Sequence, residues 1–313
     1  MFKFILKRVV QLIPILFIVS ILIFGMVRLS PSDPVSSMTK GKQITAETRQ
    51  AIEEKYHLNE SYPKQYLIWI TSAIKGDLGD SFQFKQSVNS LVSERIGVTV
   101  QLVAMSSVLA LLLAIPIGIF SAIKMNTFAD SFLSVLTLIF VSSPVFLTGI
   151  IFLLLFALKF PIFPSFGTGS GFMENLYYLA LPALALALNM VALTSRITRS
   201  NMIEQLNSNY AQTAIAKGVP GRAVIFKHTL KNALIPIITV TSIQIGSMLV
   251  GAVMVENVFA LGGLGALLIG GIKASDYPLV QGITLMLVVT FMVINLIVDI
   301  TYALIDPRIR LQD

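Results

Sequence analysis

The sequence predicts an all-α integral membrane protein with six transmembrane helices. Of its 313 residues, 55% are hydrophobic and only 12% are charged, whereas soluble domains carry about 25% charged residues. The mean hydropathy is +0.81. A soluble core of this size could not bury so much apolar surface, so lipid must solvate much of the chain. Six apolar stretches are long enough to cross a hydrocarbon core, which takes about 20 residues: 9–27, 98–120, 132–158, 176–195, 233–255 and 279–305.

The first stretch follows Lys3, Lys7 and Arg8, an arrangement that signal peptides share. Its apolar run is longer than the usual 7–15 residues of a signal peptide, and no small-residue cleavage site follows. We therefore interpret it as an uncleaved first span. Prolines lie inside several of the predicted spans, where each frees a backbone carbonyl and bends the helix: Pro14, Pro116, Pro144, Pro182 and Pro236.

Basic residues in the short loops predict the orientation, because cytoplasmic loops are enriched in Lys and Arg. With the N-terminus inside, the short outer loops hold only Lys159 and Lys273. Both termini are then cytoplasmic, and the net charge of +7 reflects basic loops between spans and not nucleic-acid binding. The inner side holds Lys3, Lys7, Arg8, Lys124, Arg196, Arg199, Lys217, Arg222, Lys227, Lys231, Arg308 and Arg310.

The long segment after the first span is expected to be extracytoplasmic and helical. It begins with the turn-rich string "SPSDP". "TAETRQAIEEKYHL" predicts a short helix with Thr45 as N-cap, and "YPKQYLIWITSAIKGDLG" predicts a second helix that ends near Gly76. Trp69, the only tryptophan, lies on that second helix. It is expected to anchor the helix at the membrane interface or to contact an external partner.

Near the outer end of the fifth span, Glu256 is expected to be interfacial. The glycine-rich string "LGGLGALLIGG" that follows predicts a tight re-entrant turn and a short helix, or a run of small residues for close packing. Asp299 is the only acidic residue well inside a predicted span. It could cap or pair locally with Asp306, Arg308 and Arg310, or it could belong to a substrate or ion site.

The motifs of several enzyme classes are absent from the sequence. There is no G-x-x-x-x-G-K-[ST] phosphate loop, no G-x-S-x-G and no H-E-x-x-H. Without cysteine there can be no disulfide or thiolate metal site. His57 and His228 are predicted on opposite sides of the membrane, so they cannot share a metal. A membrane-embedded enzyme therefore lacks its catalytic groups, and a stand-alone secondary carrier has only Asp299 as a proton relay.

The polar stretch between the fourth and fifth spans predicts a small structured unit. Asn209 can serve as N-cap with Gln212 reaching back to it, a capping-box arrangement. Residues 210–217 make about two helical turns, Gly218 fits the left-handed position after the helix, and Pro220 prevents its continuation. A second helix from about Arg222 is expected to turn an apolar side inward: Val224, Phe226, Leu230 and Ala233.

A helix of about two turns is marginal alone in water, so something must hold it. It could lie on the bilayer surface, although its apolar side chains are small for that role. It could also dock into a groove on another protein, or be a plain structured loop. The residues leave these alternatives open.

The string "YAQTAIAKGVPGRAVIFKHTLKNALIP" resembles the EAA loop of membrane subunits of binding-protein-dependent ABC importers. Gln212 stands where glutamate is usual, Thr213 and Ala214 follow it, and Gly218 occupies the glycine position. Ile235 and Pro236 match the end of the motif. Five other strings, in order, resemble the dipeptide/oligopeptide branch of this family: the N-terminal "FILKRVVQLIPILFIVSILIFGMVRLSPSDPV", "SRITRSNMIEQLNSNY", "VENVFALGGLG" (with Gly262 where proline is common), "SDYPLVQG" and the C-terminal "IVDITYALIDPRIR".

The resemblance implies the type I ABC importer permease fold, with a short cytoplasmic coupling helix that docks in an ATPase. It assigns the ATPase contact to Asn209, Tyr210, Gln212, Thr213, Ala214, Ala216, Lys217 and Gly218. It also implies a second homologous permease, two cytoplasmic ATPase subunits that use ATP and Mg, an extracytoplasmic substrate-binding protein and a location in the bacterial plasma membrane. This chain itself would bind no cofactor.

The implied organisation has four parts. Residues 1–30 form the cytoplasmic N-terminus and first span, and residues 31–97 form the extracytoplasmic segment. Residues 98–305 form the core permease domain, with the EAA loop at about 198–232, and residues 306–313 form a cytoplasmic tail. The implied substrate is a di- or oligopeptide. Nickel, a metal–chelator complex or glutathione remain alternatives within the same branch, and substrate-contacting residues are not identified by the motifs.

Overall fold

The computed structural model describes residues 2–29, 34–39 and 43–305. Within these ranges the chain is almost entirely helical, and it contains no β-strand beyond a single bridge between Asp80 and Ser87. The helices are α1 (Phe2–Arg28), α2 (Pro34–Met38), α3 (Ala46–Lys55), α4 (Tyr62–Ile74), α5 (Val88–Ile123), α6 (Phe128–Ser142), α7 (Val145–Phe152), α8 (Phe172–Leu206), α9 (Asn209–Ala216), α10 (Gly221–Ala223), α11 (Leu230–Val258), α12 (Leu264–Lys273) and α13 (Tyr277–Ile305). π-helical turns follow α7 (Leu153–Lys159) and α10 (Val224–Thr229).

Five of the six predicted spans are long apolar helices, which confirms the all-α membrane fold. Each of these helices is long enough to cross a membrane: Ile5–Arg28, Val88–Ile123, Phe172–Leu206, Gly221–Val258 and Tyr277–Thr301. Prolines 14, 116, 182 and 236 lie inside continuous helices. Most of these helices extend beyond the apolar stretch that predicted them, because polar residues outside a span can continue the same helix.

The third predicted span, 132–158, is wrong as a continuous helix. It consists of two arms, Phe128–Ser142 and Val145–Lys159, which are bent by 108° at the break. Pro144 has no backbone N–H to donate, and it forces Ser143 into an extended conformation (φ −87°, ψ 129°). Pro144 therefore breaks this helix, whereas the other four prolines are accommodated.

Contacts divide the chain into two compact units. The first comprises Met1–Thr99 and Gly262–Val293, and the second comprises Val100–Leu261 and Ile294–Asp313. In the first unit, residues from the segment 31–97 share one hydrophobic cluster with α12 and α13: Leu78, Val88, Leu91, Val92, Leu264, Leu267, Leu279 and Ile283. The described part of this segment is thus packed on later parts of the chain. The predicted domain boundaries stay a prediction.

The two helices predicted between residues 31 and 97 are present. Thr45 is the N-cap of α3 and accepts a hydrogen bond from the Thr48 backbone N–H at 3.2 Å. Gly76 ends the second helix with a left-handed backbone (φ 87°). Trp69 packs near Phe24 of α1, with ring centroids 6.1 Å apart, while its predicted interface or partner role stays a prediction. Most of the "SPSDP" string, residues 30–33, lies outside the described residues.

The short helix predicted after the fifth span is α12. Glu256 is completely buried at the end of α11, and its carbonyl accepts from the Leu261 backbone N–H at 3.0 Å. Its expected interfacial position stays a prediction. Asp299 is half-buried on α13. The residues predicted to pair with it, Asp306, Arg308 and Arg310, lie outside the described residues.

Candidate functional site

The segment between α8 and α11 is the candidate site, and its first part is a short helix joined closely to α8. We call residues 207–220 the α9 loop. α8 runs to Leu206, well past the predicted end of the fourth span, and only Asn207 and Ser208 separate it from α9. The Asn207 backbone N–H donates to the Ile203 carbonyl at 3.2 Å. The short joint and this bond place α9 directly at the end of a long transmembrane helix.

The predicted capping box at the start of α9 is wrong. Ser208 is the N-cap (φ −70°, ψ 152°) and Asn209 is already helical. The Ser208 hydroxyl donates to the Gln205 carbonyl at 2.6 Å, so it satisfies the end of α8 and does not cap α9. The Gln212 side chain likewise turns to α8, where its Nε2 donates to the Leu206 carbonyl at 3.4 Å. Polar side chains near the joint thus satisfy the unpaired carbonyls of α8.

The predicted left-handed glycine at the end of α9 is confirmed. Gly218 has φ 79° and donates its backbone N–H to the Ile215 carbonyl at 2.9 Å. The Val219 backbone N–H donates to the Ala214 carbonyl at 3.1 Å. These two bonds form a Schellman motif, which closes the helix and satisfies its last carbonyls. The end of α9 is therefore fixed by its own backbone.

α9 has one buried and one exposed face. Ala211 and Ala214 are buried against Val224, with Val219 packed beside them. Ala214, one of the residues predicted to contact the ATPase, is part of this internal packing, and its partner contact stays a prediction. The other assigned residues are exposed: Asn209, Tyr210, Gln212, Thr213, Ala216, Lys217 and Gly218.

The sequence-based assignment missed Ile215. Ile215 is 51% exposed, although it directly follows the buried Ala214. An exposed β-branched hydrophobic residue on an eight-residue helix, with alanines on the opposite side, was the available signal. Tyr210 is also exposed, and its hydroxyl donates to Gln205 Oε1 at 2.7 Å. A tyrosine and an isoleucine are thus the large side chains that α9 exposes.

The second part of the segment, from residue 221 onward, is helical as predicted, but the residues that it buries differ from those predicted. Val224 and Ala233 are buried as predicted, whereas Phe226 is exposed. The π-helical turn over Val224–Thr229 inserts an extra residue into one turn. Thr229, five residues after Val224, is buried in consequence. The α-helical spacing used for the prediction does not hold across this turn.

An ion pair holds the part of α8 that precedes the α9 loop. Arg199 Nε lies 2.7 Å from Asp130 Oδ1, and Arg199 Nη2 lies 2.7 Å from Asp130 Oδ2, a two-pronged contact. Asp130 also accepts from the Ser121 hydroxyl and from the Asn126 backbone N–H. The Asp130 side chain is 5% exposed and that of Arg199 is 28% exposed. Bidentate carboxylate–guanidinium contacts combine strength with a defined geometry.

This ion pair joins the first turn of α6 to α8, and no local pattern in the sequence indicates it. Arg199 was counted only as a charge that indicated orientation. The available signal for Asp130 was the string "NTFAD", in which Thr127 caps α6 and Asp130 occupies its first turn. Its arginine partner is distant in sequence, so only the fold reveals the pair.

A close helix crossing lies beside the ion pair. A Cβ built on Gly118 of α5 would lie 2.4 Å from Thr198 Cβ and 2.7 Å from the Ser195 carbonyl oxygen. Glycine is therefore needed for α5 and α8 to approach here. A hydrophobic cluster continues the contact toward α11: Ile119, Ala122, Met202, Ala233 and Ile237. The end of α8 that precedes the α9 loop thus packs on α5 and α11 and forms an ion pair with the start of α6.

No metal-binding cluster accompanies this segment in the described part of the chain. Across residues 2–29, 34–39 and 43–305, no group of three His, Cys, Asp or Glu side chains could hold a metal ion. What the site offers is a rigid, exposed helix face at the end of a transmembrane helix.

The comparison with known proteins identifies the family. A family model described as a binding-protein-dependent transport system inner membrane component matches residues 114–311. The model of the N-terminal part of such membrane components matches residues 1–103. The chain belongs to this family. The permease is therefore a multi-pass membrane component of an ABC transport system and not a catalytic enzyme, and its helices are those of the type I ABC permease fold.

Curated relatives match the permease over nearly its whole length. It is 37% identical over 316 residues to the oligopeptide transport system permease protein AppB of Bacillus subtilis, covering 99% of this chain and 100% of that protein. It is 36% identical over 311 residues to the oligopeptide transport system permease proteins OppB of Haemophilus influenzae and of Escherichia coli, again covering 99% and 100%. The similarity extends across both units of the chain.

Proposed function

We propose that the permease is a membrane subunit of an ATP-driven importer of di- and oligopeptides and forms half of its translocation pathway. The support is the end-to-end similarity to permeases named for oligopeptide transport. Those names favour a peptide over nickel, a metal–chelator complex or glutathione. A stand-alone secondary carrier would transport without ATP, and a membrane component of a binding-protein-dependent system is not expected to do so.

The proposed assembly contains four kinds of partner. A second homologous permease completes the pathway, two cytoplasmic ATPase subunits bind ATP and Mg, and an extracytoplasmic binding protein delivers the peptide. The bilayer surrounds the spans, and nucleic acid has no role. Because the sequence has no phosphate-binding loop of its own, the energy for transport would come from the ATPase subunits.

In this assembly α9 is the helix that docks on an ATPase subunit. The observation that supports this role is that α9 exposes Ile215 and Tyr210 while its opposite side is buried and its C-terminus is closed by backbone hydrogen bonds. Side chains that do not need to be ordered on binding lose little conformational entropy when they dock. A fixed helix face on a long transmembrane helix can transmit a displacement that a flexible loop would absorb.

The proposal is tested by replacing Gly218 with valine. No atom lies within 4 Å of an added Cβ at this position, so the cost arises from the left-handed backbone alone, about 1–2 kcal/mol. We expect normal insertion into the membrane, with loss of ATPase association or of ATP-driven peptide uptake in reconstituted vesicles.

Gly221→Ala is the matched control. Gly221 begins α10 without a positive φ, and an added Cβ also meets nothing within 4 Å. We expect this variant to transport normally. Full ATP-driven uptake by Gly218→Val would contradict the proposed role of α9.

A further inference from the structure

The break between α6 and α7 leaves backbone groups unpaired at the middle of a membrane-spanning pair. The last carbonyls of an α-helix have no helical partner, and Pro144 cannot supply an N–H. In a membrane such backbone is tolerated only where it is buried in protein or lines a cavity. The Ser143 hydroxyl donates to the Ile139 carbonyl at 2.8 Å, which satisfies one of these groups.

The Asn189 side chain on α8 approaches the next two backbone carbonyls of α6. Its Nδ2 lies 3.4 Å from the Phe140 carbonyl oxygen and 3.5 Å from that of Val141. Asn189 stands at the middle of α8, halfway between Phe172 and Leu206. Both contacts are long, so the amide is placed against the break without being tightly engaged.

A cavity of about 450 Å³ lies beside this break. α7, α8 and α11 all contribute to its wall, and the described lining includes no charged side chain. The polar members are Asn189, Gln244 and Ser247, and three methionines, Met190, Met248 and Met254, provide much of the remaining surface. Methionine is flexible and polarisable, so it adapts to partners of different shape.

Gln244 is incompletely satisfied in this cavity. Its Nε2 has no solvent exposure and no hydrogen-bond partner within the described structure. Burying an amide without a partner is unfavourable. Gln244 lines the cavity, and a rotation of its side chain is the movement that would present this N–H to an acceptor there. An unpaired amide in an uncharged wall fits a ligand that brings neutral hydrogen-bonding groups.

We propose that this cavity is a substrate-contact site of the permease and binds the main chain of a peptide. Gln244 and Asn189 hydrogen-bond backbone amides and carbonyls, and the methionines accommodate side chains of varied shape. Because the wall carries no charge, the site selects for the peptide backbone and not for charged side chains. This inference rests on the proposed function, since it assumes that a peptide crosses the membrane through this chain.

The test uses the complete reconstituted transporter with a photoreactive phenylalanine derivative at position 250. Val250 lines the cavity and is 72% exposed at its rim. Ile243 is 69% exposed on the same helix outside the cavity and is the matched control. With ATP and radiolabelled oligopeptide present, we expect labelled peptide to crosslink at position 250 and not at position 243. Crosslinks from position 250 only to the second permease or to lipid would overturn the site.

A second experiment measures selectivity. Met254→Asp places a carboxylate at the exposed side of the cavity, and Ile243→Asp places one outside it. We expect Met254→Asp to raise the uptake of a lysine-containing peptide relative to its glutamate counterpart by about five- to tenfold, the effect of one ion pair of about 1 kcal/mol or slightly more. An unchanged ratio in Met254→Asp, or an equal change in Ile243→Asp, would overturn the site.

The unmodified transporter separates the two proposals. If ATP-driven peptide uptake is absent before any substitution, the proposed function itself fails. If the unmodified protein transports peptide and positions 250 and 254 behave as their controls at position 243, the cavity assignment fails and the proposed function stands.

Discussion

At the residue scale, the contact between Asp130 and Arg199 is the strongest polar interaction described near the α9 loop. Asp130 is nearly inaccessible to water and has four donors around it, from Arg199, Ser121 and Asn126. These donors compensate the negative charge of the buried Asp130 carboxylate. Without Arg199 the same carboxylate would be a buried charge with too few partners. The pair therefore fixes geometry more than it adds net stability.

The losses of stability from removing the two partners of this pair should not be additive. We expect Asp130→Asn to lower the free energy of unfolding by about 2–3 kcal/mol, because Arg199 loses its partner but keeps some contact with solvent. The double variant Asp130→Asn/Arg199→Gln should lose less than the sum of the single changes, as measured by thermal unfolding in detergent. Arg196→Gln, on the exposed side of the same helix, is the control. Additive losses would contradict the coupling.

Two glycines of α5 should respond to alanine in opposite directions. At Gly118 a Cβ would meet the Ser195 backbone and Thr198 at less than 3 Å, so Gly118→Ala should destabilise the protein by about 1–3 kcal/mol. At Gly97 nothing lies within 4 Å, so Gly97→Ala should stabilise the helix by about 0.5–1 kcal/mol. Thermal unfolding of the two variants side by side checks this. Equal responses would show that the α5–α8 crossing is not tight.

The sequence alone predicted where α9 ends better than which of its side chains are buried. Gly218 and Pro220 carry local conformational preferences, so the end of α9 could be predicted. Ala214 and Ile215 are neighbours with opposite environments, and the choice depends on Val224. That contact crosses the turn at Gly218 and has no signature in local preference. The same holds for Asp130 and Arg199, which are remote in sequence.

At the scale of elements, hydropathy located the spans but could not distinguish a bent helix from a broken one. Pro116 and Pro144 give the same local signal, yet α5 continues and α6 ends. The freed carbonyls before Pro144 are served by Ser143 and Asn189. A break is stable only where such partners exist, and in the case of Asn189 the partner comes from another helix.

Loss of the exposed isoleucine of α9 should leave the stability of the fold nearly unchanged. The same change should weaken association with the proposed ATPase partner. Ile215→Ala should change the free energy of unfolding by less than about 0.5 kcal/mol, because the side chain is half exposed. If Ile215 fills a pocket on an ATPase subunit, the same change should weaken association by about 1–3 kcal/mol. Phe226→Ala, exposed on the neighbouring π-helical turn, is the control in a binding titration. Equal effects would remove Ile215 from the interface.

At the scale of the whole molecule, the distribution of basic residues predicts which loops face the cytoplasm. The sequence contains no cysteine, so a single introduced thiol can be labelled without background. Lys217→Cys on α9 and Ser87→Cys before α5 are both exposed positions. We expect an impermeant thiol reagent to label Lys217→Cys only from the cytoplasmic side and Ser87→Cys only from outside. The reverse pattern would invert the proposed topology.

The crossing of α8 with Gly118 has a mechanical consequence. Thr198, the point of closest approach, stands nine residues after Asn189 and eight before Leu206. At a rise of about 1.5 Å per residue, Asn189 and Leu206 lie about 13 Å and 12 Å from this crossing along the helix axis. If α8 tilts about the crossing, a movement of Leu206 by about 1 Å moves Asn189 by about as much in the opposite direction. The hydrogen bonds of Asn189 are already long, at 3.4 Å and 3.5 Å, so a displacement of that size would break them.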